Sequence, residues 1–163
     1  MRAAIVPEGL TYVEEFRPLT MRGQQAKRTV RHFGLDYDYE SGELVPAEPL
    51  PEPLRFVRDR CAALMERAPD DLVQILVSRY PEGGWHRDAP MFGSKVAGVS
   101  LLAPCRMRFQ RATKDRGRET AAIELAPRSA YVLGGKARWS WQHSIPATKA
   151  LRYSITFRTL KRA

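Results

Sequence analysis

Two cysteines in 163 residues, Cys61 and Cys105, are too few for a disulfide framework, and neither lies in a CxxC or other zinc-ligand spacing. Both read as buried thiols. The chain also lacks any run approaching the ~20 uninterrupted apolar residues of a membrane helix. The start, Met1-Arg2-Ala3-Ala4-Ile5-Val6-Pro7, has no apolar core long enough for a secretory leader, so the expectation is a cytoplasmic protein with no membrane partner. There are no internal repeats and no low-complexity tracts. Histidine is scarce: with three in the chain, any chemistry that needs imidazole has few residues to draw on.

What is present is a globular composition, 44% hydrophobic and 28% charged, in a length that fits one compact domain and is expected as a monomer. Lysine and arginine total 27 against 18 acidic residues, a formal charge of +9. With a pI near 10.0, this balance is the electrostatic footprint of a protein that meets phosphates. Charge alone does not separate DNA from RNA, or either from an acidic protein, and basic surfaces also serve solubility.

Along the chain, Thr29–Phe33 and Leu35–Tyr39 alternate as strands do, and Ser41-Gly42 suits a hairpin turn. A proline-dense connector (Pro46, Pro49, Pro51, Pro53) leads into the best-marked helix, Leu54–Ala68. There Leu54, Val57, Cys61, Leu64, Met65 and Ala68 recur at three- and four-residue spacing, and Pro69 ends the run. The remainder reads as strands: Val73–Tyr80, Lys95–Leu102, Met107–Arg111, Ala121–Leu125, Ser129–Leu133 and Leu151–Leu160. A mainly β chain of this kind points to a barrel or jelly roll with the helix packed outside.

His86-Arg87-Asp88 places an imidazole and a carboxylate two residues apart, so in an extended segment both face one way. His143, in Trp141-Gln142-His143-Ser144-Ile145-Pro146, is the candidate third ligand. Two histidines and one carboxylate leave three adjacent coordination positions open, as non-haem iron(II) oxygenases require. The competing reading is that H-x-D arises by chance and each histidine is structural.

Arg152-Tyr153-Ser154-Ile155-Thr156-Phe157-Arg158 alternates strictly, with Arg152, Ser154, Thr156 and Arg158 on one face. Turned inward, a guanidinium needs an anionic partner. A dicarboxylate cosubstrate is one, gripped by two parallel hydrogen bonds. The alternative is an edge strand with its arginines in water.

Taken jointly, His86-x-Asp88, His143 and Arg152-x5-Arg158 resemble the AlkB-like family of iron(II) and 2-oxoglutarate-dependent dioxygenases. The last strand matches that family's R-Y-x-x-T-F-R pattern almost letter for letter. The likeness takes in Ser78-Arg79-Tyr80, Val99-Ser100-Leu101 and Ala126-Pro127-Arg128-Ser129, and runs from about Val73 to Lys161. Arg31-His32-Phe33-Gly34 with Tyr37-Asp38-Tyr39 is similar to the segment that relatives use near a nucleotide-binding lid. The resemblance implies a double-stranded β-helix (jelly-roll) core over residues 73–161. It also implies a bracing helix over 54–68 and an N-terminal substrate-side segment over 1–53, all within a single domain 1–163.

The resemblance further implies that His86, Asp88 and His143 ligate Fe(II), and that Arg152 holds the distal carboxylate of 2-oxoglutarate with help from Tyr80. Arg158 then lies further along the same wall. Ser78 and Ser154 stand where many relatives carry asparagine. The implied reaction consumes O2 and 2-oxoglutarate, releases succinate and carbon dioxide, and hydroxylates a C–H bond. On a base N-methyl group the product collapses to formaldehyde and the repaired base. The chain departs from relatives by a short stretch before H-x-D (Pro81–Trp85), and by having only Phe16-Arg17-Pro18-Leu19-Thr20 where they place an amphipathic helix.

The substrate class implied is alkylated or modified bases in DNA or RNA, with a lean towards relatives acting on RNA, including tRNA wobble uridines. Reaching a base requires a single strand or a flipped nucleotide stacked on aromatics. Trp85, Tyr37, Tyr39, Trp139 and Trp141 are candidates, although for any one of them core packing is the commoner role. Arg106 and Arg108 form a basic strand face, and Lys114, Arg116 and Arg118 a basic hairpin tip, for phosphate contact or for solvation. Hydroxylation of a protein or small molecule, and a non-catalytic basic nucleic-acid-binding jelly roll, are the competing functions.

Overall fold

The alternation of the C-terminal strand determines how the molecule is layered. The structure is a computed structural model and describes residues 17–21, 24–38, 40–80 and 82–161, with side chains from Thr29 onward, Tyr80 excepted. In order, the elements are β1 (Arg17–Met21), β2 (Gln24–Tyr37), β3 (Leu44–Pro46), α1 (Glu52–Met65), β4 (Gln74–Tyr80) and β5 (Gly83–His86). They continue with β6 (Phe92–Leu102), β7 (Cys105–Ala112), β8 (Arg118–Leu125), β9 (Ser129–Leu133), α2 (Gly135–Trp139), β10 (Gln142–Ile145) and β11 (Arg152–Leu160). A major sheet runs β1-β2-β4-β11-β6-β9, with β3 paired to β2, and a minor sheet runs β5-β10-β7-β8. All named pairings are antiparallel. This is the jelly-roll core that the sequence leads one to expect.

β11 lies centrally, paired to β4 on one side and to β6 on the other. Its apolar face (Ile155, Phe157) joins Val77, Ile75, Val99 and Ala97 in a core closed by Leu54, Val57, Cys61, Ala62 and Met65 of α1. Its polar face looks the other way, toward the minor sheet. There Thr156 and Arg158 share a cavity lining with Met107, His143 and Ile145. Because the side-chain period of a strand is two residues, one sheet serves a greasy outer layer and a polar inner one.

Differences from expectation have local causes. The two N-terminal strands are one, β2, bent at Gly34, whose φ is +74° and where a Cβ would lie 2.2 Å from the Val73 carbonyl oxygen. Before the bend β2 pairs with β1 and β4; after it, Leu35–Tyr37 turn to β3 through a hairpin that includes Gly42. Tyr39 lies outside the described residues. α1 stops at Met65 rather than Ala68, because Glu66 takes a left-handed conformation (φ 56°). The amides of Glu66 and Arg67 then cap the carbonyls of Ala63 and Ala62. Pro69 opens a short 3₁₀ turn, Pro69–Asp71. Among the described residues no helix is long and apolar enough to cross a membrane.

Cys61 is fully buried in the helix-facing core, and burial pushes its thiol up from 9.0 to about 12. The folded state therefore keeps a proton that the unfolded chain releases, so this contribution to stability is lost as pH rises from about 9 to about 12. In urea titrations, stability should fall more steeply over that range than it does for Cys61→Ala. A parallel decline in both proteins would remove Cys61 as the cause.

Candidate metal and cosubstrate site

β10 sits between β5 and β7, and its register sets His143 opposite His86 on one side and Phe109 on the other. The two imidazole centroids are 4.3 Å apart. The stretch before H-x-D, read from the sequence as a short loop, thus forms strand β5 over Gly83–His86 and pairs along β10. His86 Nδ1 lies 2.8 Å from the Gly84 carbonyl oxygen. A carbonyl can only accept, so Nδ1 carries a proton and Nε2 is the nitrogen left for a metal, the usual orientation of a ligating histidine.

Asp88 stands just past β5 and is buried. Its Oδ1 accepts from Arg158 Nε at 2.6 Å and is also paired with Nη2. Its Oδ2 lies 3.9 Å from His143 Nε2, beyond hydrogen-bond reach. Burial pushes the Asp88 carboxyl up, but the Arg158 guanidinium, then His143 and His86, outweigh it and hold the group well below the usual carboxylate range. His86, Asp88 and His143 line one cavity of about 20 Å³, enough for a single ion or water. Among the described residues no three or more His, Cys, Asp or Glu stand close enough together to hold a metal ion as placed. Two imidazoles and one ionised carboxylate lining a common cavity are nonetheless a donor set that fits Fe(II).

One face of β11 continues from this cluster. Arg158 also donates from Nη1 to Gln74 Oε1 at 2.7 Å, and its guanidinium lies over the Phe92 ring at 5.1 Å. Arg158 was expected further along the same wall, near the cosubstrate and the metal side; the feature not foreseen is that it is the ion-pair partner of a candidate ligand. At the far end of the same face, Arg152 is buried, donates from Nη2 to Ser100 Oγ at 3.2 Å and lies beside the Cys105 thiol. Ser154 faces Ser78 on β4 and Ser100 on β6. The Ser78 and Ser154 hydroxyls are buried without hydrogen-bond partners in the described structure. Orphaned donors beside a buried guanidinium suit a carboxylate, so this wall fits 2-oxoglutarate. Tyr80 is opposite Arg152 in the register, and its side chain lies outside the described set.

The aromatic candidates are scattered. Trp85 is exposed on the outer face of the minor sheet under Arg108 (5.1 Å), while Trp141 pairs with Arg111 (4.7 Å). Trp139 stacks on Arg138 (4.1 Å), and Tyr37 packs edge-on to Phe92. Arg106 and Arg108 are exposed, alternating with Met107 and Phe109, and Lys114, Arg116 and Arg118 are exposed at the β7–β8 hairpin. Three residues near the site escape sequence reasoning: Gln74, Tyr131 and Arg138. Tyr131 lines the small cavity with its ring across Gly98, where a Cβ would fall 2.2 Å from Cζ. No local pattern marks any of the three, and only the glycine at 98 hints at a close approach.

The family model described as the 2OG-Fe(II) oxygenase superfamily matches residues 9–158. The chain belongs to the 2OG-Fe(II) oxygenase superfamily. Its resemblances are to AlkB-like members. It is 28% identical over 179 aligned positions, covering 89% of the chain, to "Alkylated DNA repair protein ALKBH8 homolog" of Arabidopsis thaliana. It is 26% identical over 155 positions, covering 87% of the chain, to "tRNA (carboxymethyluridine(34)-5-O)-methyltransferase ALKBH8" of Mus musculus. The chain spans 51% of the first relative's length and 22% of the second's. Among solved structures, OsALKBH1 shares the fold with a TM-score of 0.65 at 18% identity, over 88% of this chain and 83% of that one. The superfamily's dioxygenases use Fe(II), 2-oxoglutarate and O2.

The Arg158–Asp88 pair yields a stability prediction. Arg158→Met leaves a buried carboxylate uncompensated and should destabilise the metal-free protein by about 3–5 kcal/mol in urea titration. Because the folded carboxyl titrates below the unfolded value, its stabilising contribution is present above about pH 4 and is lost as pH falls toward the folded value. Asp88→Asn should flatten that part of the acid limb; an unchanged acid limb would show that Asp88 contributes nothing to it.

Proposed function

We propose that this chain is an Fe(II)/2-oxoglutarate-dependent oxygenase acting on alkylated or modified bases in nucleic acid, by oxidative demethylation or hydroxylation. The observation that carries the reading is the common inner face on which His86, Asp88 and His143 meet Arg158, with Arg152 and the unsatisfied Ser78 and Ser154 hydroxyls further along the same strand. In this reading His86, Asp88 and His143 hold the metal, which supplies oxygen activation when bound. Arg152 anchors the distal carboxylate, Ser78 and Ser154 donate to it, and Arg158 keeps Asp88 ionised and oriented. The substrate half rests on the net charge of +9, on the exposed cations of the β7–β8 hairpin and on the relatives' names, which refer to alkylated DNA and to a tRNA uridine.

The test is succinate release that depends on Fe(II) and 2-oxoglutarate, followed by formaldehyde release from methylated DNA, RNA and tRNA pools. Arg152→Met should raise the KM for 2-oxoglutarate about 10- to 100-fold, the worth of one or two charge-assisted hydrogen bonds. His86→Ala should reduce succinate release to the metal-free background. Turnover that no nucleic acid stimulates would favour a protein or small-molecule substrate, and wild-type turnover by His86→Ala would sink the metal assignment. For the nucleic-acid half, the double variant Lys114→Glu, Arg116→Glu should weaken single-strand binding. It should also lower the slope of log K against log salt by about 0.7 for each phosphate that is no longer neutralised; an unchanged slope would take the hairpin out of the interface.

A further inference from the structure

Asp88 is an awkward place for a ligand. It follows the last residue of β5 and precedes β6, in a segment without ladder partners, so the strand pairing that holds His86 does not hold it. The carbonyls of such a segment need donors if they turn inward. In this chain the Phe92 amide donates to the Ala89 carbonyl and the Lys161 amide to that of Met91. One side chain supplies further donors here and at the start of β6. Arg138 donates from Nη1 to the Asp88 carbonyl oxygen (3.0 Å), from Nη2 to those of Ala89 (2.8 Å) and Phe92 (3.3 Å), and from Nε to that of Gly93 (3.2 Å). The guanidinium is buried, with the Trp139 ring 4.1 Å from it.

Arg138 itself is held on the one-turn helix α2, five residues before His143. Gly134 precedes that turn, and Gly135 opens it in a left-handed conformation (φ 50°). The amides of Ser140 and Trp141 bond back to the Lys136 carbonyl oxygen, so little slack remains between Arg138 and the start of β10. The segment that presents His143 therefore grips the backbone of the segment that presents Asp88. A buried cation whose hydrogen-bond acceptors are neutral carbonyls is a poor source of net stability. Its five-donor planar fork, however, sets the position of several acceptors at once, which an ammonium cannot do.

We propose that Arg138 is a positioning residue that sets the distance between Asp88 and His143. It does so by clamping the carbonyls of Asp88, Ala89, Phe92 and Gly93 to α2 while Arg158 holds the Asp88 carboxylate. Asp88 is thus fixed at both ends, main chain and side chain, by two arginines from different elements. The inference rests on the reading of His86, Asp88 and His143 as metal ligands, and it adds a residue that touches neither metal nor cosubstrate.

The experiment compares the full chain with Arg138→Lys and Arg138→Met under anaerobic conditions. Fe(II) affinity and the visible absorption band of the Fe(II)–2-oxoglutarate complex are read beside the urea midpoint of the metal-free proteins. Loss of an outer partner of a metal ligand lowers metal affinity by about 10- to 100-fold. That loss is expected for folded Arg138→Met, with a displaced absorption band, and a smaller loss for Arg138→Lys, which retains part of the donor set. Wild-type metal affinity and an unmoved band in folded Arg138→Met would overturn the proposal, leaving Arg138 a purely structural residue. If Arg138→Met does not fold, Arg138→Lys decides in the same way: weakened metal binding with a wild-type urea midpoint supports positioning, and wild-type affinity overturns it. Absence of metal binding by the wild-type chain would remove the ligand reading itself and this inference with it, an outcome distinct from variants that bind as wild type does.

Discussion

The buried pair between Arg158 and Asp88 joins the two parts of the molecule that the site needs together. Asp88 belongs to the stretch after β5, Arg158 to the centre of the major sheet, and 70 residues of chain separate them. Inside a low-dielectric layer neither charge is tolerable alone, so the pair ties the stretch after β5 to the centre of the major sheet and favours the arrangement in which carboxylate and guanidinium meet. Gln74 takes a second donor of the same guanidinium, and Phe92 covers its face, which holds Arg158 in one pose.

That arrangement follows from the two faces of β11. Ile155 and Phe157 bury their side chains against the helix-backed core, and in doing so turn Arg152, Ser154, Thr156 and Arg158 into the space between the sheets. Packing thus orients polar groups that would otherwise prefer water. Arg158 at one end meets the Asp88 carboxylate, and Arg152 at the other sits among Ser100 and Cys105, with the unsatisfied hydroxyls of Ser78 and Ser154 two residues along. The hydrophobic pattern of one face is in this sense the cause of the chemistry on the other.

The parts of this legible in the sequence were those carried by short-range periodicity. The alternation of Arg152–Arg158, the spacing of His86 and Asp88, and the helical recurrence from Leu54 to Met65 all survive in the folded chain with small shifts at their ends. Ser129–Leu133 is a strand over the same residues as read. What could not be read depended on contacts between distant segments. β5 exists because β10 pairs with it; with two glycines in four residues its own composition argues against a strand. α2 is one turn long, too short for a periodic signal, so Arg138 carried no mark in the sequence although it holds four carbonyls some 45 to 50 residues away. The partnership of Arg158 with Asp88, rather than with cosubstrate alone, was likewise invisible in one dimension. The end of α1 was misplaced because Glu66, not a glycine, adopts the left-handed cap.

The most direct measurement is anomalous diffraction at the iron edge from crystals grown anaerobically with Fe(II). The account predicts a single strong peak about 2 Å from His86 Nε2, an Asp88 carboxylate oxygen and His143 Nε2, with Arg158 still bonded to the same carboxylate. A peak on other residues, or an ordered His86–Asp88–His143 cluster carrying no iron in crystals saturated with it, would contradict the account.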